Sequence, residues 1–388
     1  SVPVVVFGGK KVFPASTITS DADGAYSVYA VDMDGDGDMD VLSASPYDDK
    51  IAWYENDGSE SFTAATITSS ADGACSVYAV DMDGDGDIDV LSASNYDDKI
   101  AWYENNGSES FTAATITSSA DGALSADGAY SVYAVDLDGD GDMDVLSASE
   151  SDNTIAWYEN DGSESFTAAN ITTSADGAVS VYAVDVDGDG DIDVLSASMN
   201  DDTIAWYEND GASDPSFTAA TITSSASSAR SVYAVDVDGD GDIDVLSASA
   251  DDDKIAWYEN DGDESFTAHT ITTSADGPRS VYAVDVNGDG DIDVLSASRD
   301  GDKIAWYEQG TAWWVDLNNG NDDNSGSSNF PFETIHKAIE DNSSLADGDS
   351  IKVKPSITSS NTTGYYDFGN NDISTSGTFV LISTDGAA

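Results

Sequence analysis

Cysteine is almost missing from this chain: one residue, Cys75, in 388, so no intrachain disulfide can brace it. Histidine is scarce too, at two residues, which leaves little to build an acid and base pair from. Lysine and arginine together number 12 against 76 aspartates and glutamates, a formal net charge of −64. A field of that sign repels phosphate backbones and anionic lipid surfaces, so nucleic acid is excluded as a partner. No apolar run approaches the roughly 18 residues of a membrane span, which argues against membrane insertion. Ser1 is not followed by a basic and apolar leader, so the chain reads as a mature or trimmed product.

What is present is a folded composition and a strict repeat. Hydrophobic residues make up 40% and aromatic residues 10% of the chain, more than a disordered acidic tail carries. The acids therefore have a task, and holding cations is the task expected of them. A 49-residue unit recurs six times, with acidic loops opening at Asp32, Asp81, Asp136, Asp185, Asp236 and Asp285. Each unit reads "SVYAV", acidic loop, "DVLSAS", a short loop with "DDK" or "DDT", "IAWYEN", "DGSES" and "FTAATIT", with small variations. Short runs rich in Val, Ile, Tyr, Trp and Thr, bounded by Gly, Asp, Asn and Ser, predict four successive antiparallel strands. Four strands in a period of this length suit a propeller blade, whose two faces both pack on neighbours. The small Ser and Ala of "DVLSAS" suit a crowded position near the axis.

The expected fold is all-β: a propeller of six four-stranded blades spanning 1–310, with a seventh, incomplete blade as the alternative. "PVVVF" and "FPASTIT" near the start align with the third and fourth strands of a unit, while the last unit stops after its third. An N-terminal strand is thus placed to complete the last blade and remove an exposed edge.

The acidic loops carry the chemistry. In the first, Asp32, Asp34, Asp36, Asp38 and Asp40 alternate, with Gly37 at the sixth position. Oxygen ligands at positions 1, 3 and 5, a backbone carbonyl at 7 and a sharp glycine turn at 6 are a Ca²⁺-loop layout, here closed by a carboxylate at 9. An EF-hand closes at 12, which is Ser43 in this loop, so the EF-hand itself is excluded. The corresponding candidates are Asp81, Asp83, Asp85, Asp87 and Asp89, then Asp136, Asp138, Asp140, Asp142 and Asp144. Three further sets follow: Asp185, Asp187, Asp189, Asp191 and Asp193; Asp236, Asp238, Asp240, Asp242 and Asp244; and Asp285, Asn287, Asp289, Asp291 and Asp293. Six structural Ca²⁺ sites are expected, each clipping one hairpin, with the sixth weakest because Asn287 lowers its charge. The glycines are expected to clear side chains from the converging carboxylates.

"DMDGDGDMD" and "DVDGDGDID", each between "SVYAV" and "DVLSAS", resemble the FG-GAP or VCBS repeats of integrin-type calcium-binding β-propellers. The resemblance implies structural cation sites and a secreted or cell-surface location. The family's Phe-Gly and Gly-Ala-Pro signature is not evident, which makes VCBS the closer label.

Among the units, variation concentrates on the face away from the acidic loops. Before "SVY" stand Tyr26, Cys75, Tyr130, Val179, Arg230 and Arg279; after "SAS" stand Pro46, Asn95, Glu150, Met199, Ala250 and Arg299. All three arginines of the chain fall in these positions. Surface drift explains such variation simply. The sharper expectation is an anion-binding patch of Arg230, Arg279 and Arg299, since guanidinium grips carboxylate or sulfate with two bonds. Cys75 shares its position with Tyr and Val and reads as an incidental thiol. The tryptophan of each third strand, from Trp53 to Trp306, is assigned to core packing and not to sugar stacking.

After residue 310 the repeat stops. "GNDDNSG", "PFETIHKAI" and "GDSIKVKP" resemble the cap and first turns of a right-handed parallel β-helix of the pectin-lyase-like type, giving a second domain over 311–388. One capping helix is expected around Phe332, Ile335 and Ile339, with strands at "WWVDL", "DSIKVKP" and "TFVLIST".

The function expected is an extracellular, calcium-clipped adhesion or interaction module for a protein or glycan ligand, without catalysis. The alternatives are a non-catalytic accessory domain of a secreted polysaccharide lyase or hydrolase, and a structural spacer in a large surface protein.

Overall fold

The computed structural model describes residues 17–309 apart from 60, 109, 119–127, 164 and 287–289, together with strand backbone at 312–315, 350–353 and 380–383. It is an all-β propeller of six blades. In the first blade the strands are Ser27–Val31, Asp40–Ser45, Lys50–Asn56 and Phe62–Thr68, hydrogen-bonded in sequence order. Four more sheets repeat that order with four strands each, and among the described residues the sixth has three: Pro278–Val284, Asp293–Ser298 and Lys303–Tyr307. The expected N-terminal strands and ring closure fall largely on residues 1–16, outside the described residues, as does the expected helix around Phe332.

Within a blade the register is set by side chains that must be buried on both faces. Val194, Leu195, Ser196 and Ala197 pair with Tyr207, Trp206, Ala205 and Ile204, and every residue of Asp193–Ser198 is buried. One face of each of the first four blades packs on the next through a repeated cluster. Leu42, Ile51 and Trp53 of the first blade meet Ala74, Val77, Val90 and Tyr103 of the second. Trp102, Trp157 and Trp206 fill the same place in the next three contacts, so these indoles are core residues as expected.

The first strands lie innermost. Tyr29, Tyr78, Tyr133, Tyr182, Tyr233 and Tyr282 form a succession with ring centroids 4.9–5.0 Å apart. Beside them a serine links each first strand to the next. The Val77 N–H donates to Ser27 Oγ at 3.3 Å, and the Val281 N–H donates likewise to Ser231 Oγ. The second strand, with its small Ser and Ala, is the fully buried layer beside this inner ring.

The "DD" of the loop between strands two and three also has a structural role. Asp49, Asp98, Asn153, Asp202 and Asp253 all adopt left-handed φ of 54–61°, which a short polar side chain tolerates. Their side-chain oxygens accept a backbone N–H from the entry turn of the following blade, such as Gly177 onto Asn153 Oδ1 at 2.9 Å.

By compactness the chain divides into two units. One holds 15–283 and 295–306; the other holds the described parts of 284–294 and 307–388. The second unit includes three short strands, Ala312–Val315, Ser350–Val353 and Val380–Ser383, hydrogen-bonded side by side in parallel. Strands were expected in all three stretches.

Candidate metal sites and axial pocket

The acidic loop leaves the first strand at position 1 and returns to the second at position 9, and its own backbone amides organise it. In the fourth loop Asp185 accepts the Gly188 N–H on Oδ1 at 2.7 Å and the Gly190 N–H on Oδ2 at 3.0 Å. Asp187 accepts the Asp189 N–H, and Asp189 accepts the Asp191 N–H. Gly188 and Gly190 sit at φ of 77° and 100°, and a methyl group on either would meet nothing within 4 Å. The glycines are therefore required for left-handed backbone, not for room, which corrects the sequence-based reason given for them.

Position 9 is a buried clamp. Asp193, 1% exposed, accepts the Val186 N–H on Oδ2 at 3.1 Å and the Asn209 N–H on Oδ1 at 2.8 Å. One carboxylate thus ties the loop to the end of the third strand. The same pair of bonds recurs at Asp40, Asp89, Asp144 and Asp244, and at Asp293 with Gln309 replacing Asn. Burial pushes Asp89, Asp144 and Asp193 up to about 6 against these bonds. The Trp102 indole faces Asp89 and lowers its pKa without reaching hydrogen-bond geometry.

Five loops bring carboxylate oxygens of three residues within 4.8 Å of one another. Positions 1 and 3 take part every time. The third member is position 5 in the first two loops, Asp36 and Asp85, and position 9 in the next three, Asp144, Asp193 and Asp244. Position 7 points elsewhere: Asp38, Asp87, Asp142, Asp191 and Asp242 lie over the glycine of the "DG" turn, so near that a methyl on Gly211 would stand 2.0 Å from Asp191 Oδ2. Those contacts place the acidic loops and the "DGSES" turns on one face. Asn287 and Asp289 lie outside the described residues.

Burial, together with the neighbouring carboxylates, raises the pKa of Asp34, Asp83, Asp138, Asp187 and Asp238. Among the described residues of the first five loops, no aspartate is in an ion pair with Lys, Arg or His. A set of hard carboxylate oxygens, crowded and uncompensated, fits a hard divalent cation of the Ca²⁺ type.

Sequence reasoning gave no role to the asparagine that ends each "IAWYEN", although its recurrence was the available signal. Asn209 Nδ2 donates to Ile192 O and to Leu137 O of the preceding blade's acidic loop, and Asn260 repeats this with Ile243 and Val186. The side chain locks neighbouring loops together.

On the other face, the variable residues before "SVY" converge. Tyr26, Cys75, Tyr130, Val179, Arg230 and Arg279 line one cavity of about 190 Å³ at the end of the inner ring. The Tyr26 and Tyr130 rings meet edge to face across it, 6.4 Å apart, although a whole blade lies between theirs in order. Arg299 is not among the lining residues; its guanidinium pairs with Asp300 at 2.7 Å. Cys75 is buried there, its thiol pushed up to about 12 by burial, which fits an unreactive side chain. His269 bonds Glu259 at 2.7 Å and stacks on Trp257, away from this cavity's lining.

A succession of antiparallel blades, each with an acidic hairpin loop on one face, defines a repeat-built β-propeller. The chain belongs to the FG-GAP-like repeat family, whose pattern matches residues 32–92, 81–147, 136–196, 185–247 and 236–296. Each match begins on the first aspartate of one acidic loop and runs past the start of the next. A solved protein from Lactobacillus plantarum shares the fold with a TM-score of 0.50 at 16% identity, covering 73% of this chain and 84% of its own. An Agrocybe aegerita lectin, described as recognising non-reducing terminal N-acetylglucosamine, aligns with a TM-score of 0.49 at 17% identity, over 72% of this chain and 80% of its own. No curated protein sequence matches the chain. Among the described residues, no helix is long and apolar enough to cross a membrane.

Proposed function

We propose that the chain is an extracellular interaction module whose blades are clipped by Ca²⁺, and that it serves adhesion to a protein or glycan without catalysis of its own. The observation that carries this reading is a three-residue carboxylate cluster in each of five loops, always built on positions 1 and 3. Positions 1, 3, 5 and 9 would hold the cation, which supplies the positive charge the loop lacks and fixes the hairpin between the first two strands. Asp193 and its counterparts hold both ends of the loop in register. The Gly188 and Gly190 amides orient Asp185 toward the cluster. A sixth site at Asp285, Asn287, Asp289, Asp291 and Asp293 completes the set. Extracellular fluid, where calcium is plentiful, is the compartment in which such sites fill.

A second reading is favoured by the three parallel strands at 312–315, 350–353 and 380–383. Parallel strands stacked side by side are what the first turns of a β-helix supply. In that reading 1–310 is the propeller, 311–388 begins a pectin-lyase-like β-helix, and the propeller is the accessory domain of a polysaccharide-cleaving protein.

Thermal unfolding in millimolar calcium and in excess chelator tests the first reading. A midpoint several degrees higher with calcium is expected, and an unchanged midpoint refutes structural metal sites.

A further inference from the structure

We propose that the axial pocket between Tyr26, Tyr130, Arg230 and Arg279 binds the carboxylate of an acidic saccharide, one uronate unit at a time. The inference deepens the interaction-module reading, on which it rests, by naming the ligand class and the residues that take it.

The chain has 12 basic residues in 388, only three of them arginine, and two of those three line a single cavity. In a protein of net charge −64, solvated ion pairs are available to any cation at little cost. Arg299 and three lysines have taken them: Arg299 with Asp300, Lys50 with Asp48, Lys99 with Asp97 and Lys254 with Asp252. Among the described residues, Arg230 and Arg279 have no such partner. Arg230 Nη1 lies 2.9 Å from Met199 Sδ, a weak acceptor, and the Nε atoms of both arginines are buried without a hydrogen-bond partner. Burial and the neighbouring Arg230 charge lower the pKa of Arg279, so the two cations repel each other where they stand. Half-buried guanidinium groups lining one cavity, neither in an ion pair with a described carboxylate, are what an anion site requires.

The rest of the lining narrows the anion. The carboxylates acting on the pocket are Glu150, which bears on Tyr130 and Cys75, and Asp300, already paired with Arg299. With these and the overall charge, a polyanion of high charge density is repelled. A single planar carboxylate meets the guanidinium fork with two bonds. The cavity, at about 190 Å³, falls below the roughly 300–1,000 Å³ of drug-sized sites and suits one sugar ring. Tyr26, 54% exposed, and Tyr130 give that ring an aromatic wall with hydroxyls at the edge.

The test is calorimetric titration of the full chain with a glucuronate-terminated disaccharide and with its neutral glucose-terminated counterpart, each in calcium and in chelator. One acidic disaccharide is expected per chain, with no measurable binding of the neutral one. Arg230→Gln and Arg279→Gln should each weaken binding about tenfold or more, as expected for loss of a charged hydrogen bond, while Lys254→Gln changes it less than about twofold. Equal binding of both sugars, no binding of either, or unchanged affinity in both arginine variants overturns the proposal. An aspartate-containing tripeptide that binds in place of the disaccharide overturns the saccharide assignment. Melting each sample beside the titration separates the two readings. Arginine-dependent binding with a midpoint indifferent to chelator refutes the calcium clips and supports the pocket; a calcium-raised midpoint without disaccharide binding does the reverse.

Discussion

Asp193→Asn should be tolerated less well with calcium than without it. Burial sets the folded pKa of Asp193 at about 6, against an ordinary value of 3.8, so at pH 7 the bare carboxylate costs about 3 kcal/mol of stability. Asparagine removes that charge and keeps an oxygen for the Asn209 N–H, but turns an amide donor toward the Val186 N–H, a loss of about 1–2 kcal/mol. In chelator the balance leaves the variant about 1–2 kcal/mol more stable than the parent. In calcium the variant also loses a charged oxygen from the cluster with Asp185 and Asp187. If the site weakens tenfold and both forms are well saturated, linkage removes about 1.4 kcal/mol more. Urea unfolding at pH 7 in both buffers, with hydrogen exchange at the Val186 and Asn209 amides as a local probe, measures the difference. An identical effect of the substitution with and without calcium refutes the assignment of position 9 to the cation site.

Two further outcomes follow from the same geometry. In chelator, the stabilising contribution of Asp89, Asp144 and Asp193 should be fully present below about pH 4 and decline as pH rises to about 6, because their folded pKa values lie above the unfolded one; urea midpoints across that window check the sign, and a contribution rising with pH contradicts it. Gly211→Ala forces a methyl into φ of 66° and to within 2.0 Å of Asp191 Oδ2, so a loss of about 1–3 kcal/mol is expected, against a negligible change for Ala212→Ser in the exposed turn beside it.

The repeat made most of this fold legible. Six copies of one unit announce the strands at Asp193–Ser198 and Thr203–Asn209 and the alternating aspartates between strands, because burial on both blade faces and oxygen convergence each impose a local pattern. Contacts between blades were not legible. Nothing local to "YEN" says that Asn209 reaches Leu137, 72 residues earlier, or that the second Asp of "DDT" receives an amide from the next blade's turn. The variable ring was visible as a list of residues. That Tyr26 meets Tyr130 over Arg230 and Arg279, while Arg299 turns to Asp300, follows only from the closing curve of the inner strands. Position 7, grouped with the ligands in sequence, takes its orientation from a glycine turn two strands away.

Calcium stoichiometry is the most direct measurement. Calorimetric titration of the chelator-stripped chain, cross-checked by native mass spectrometry, should give at least five ions per chain, one for each of the five carboxylate clusters, and a sixth where Asn287 occupies the third position. Binding of no calcium, or of a single ion, would contradict the clipped-blade propeller.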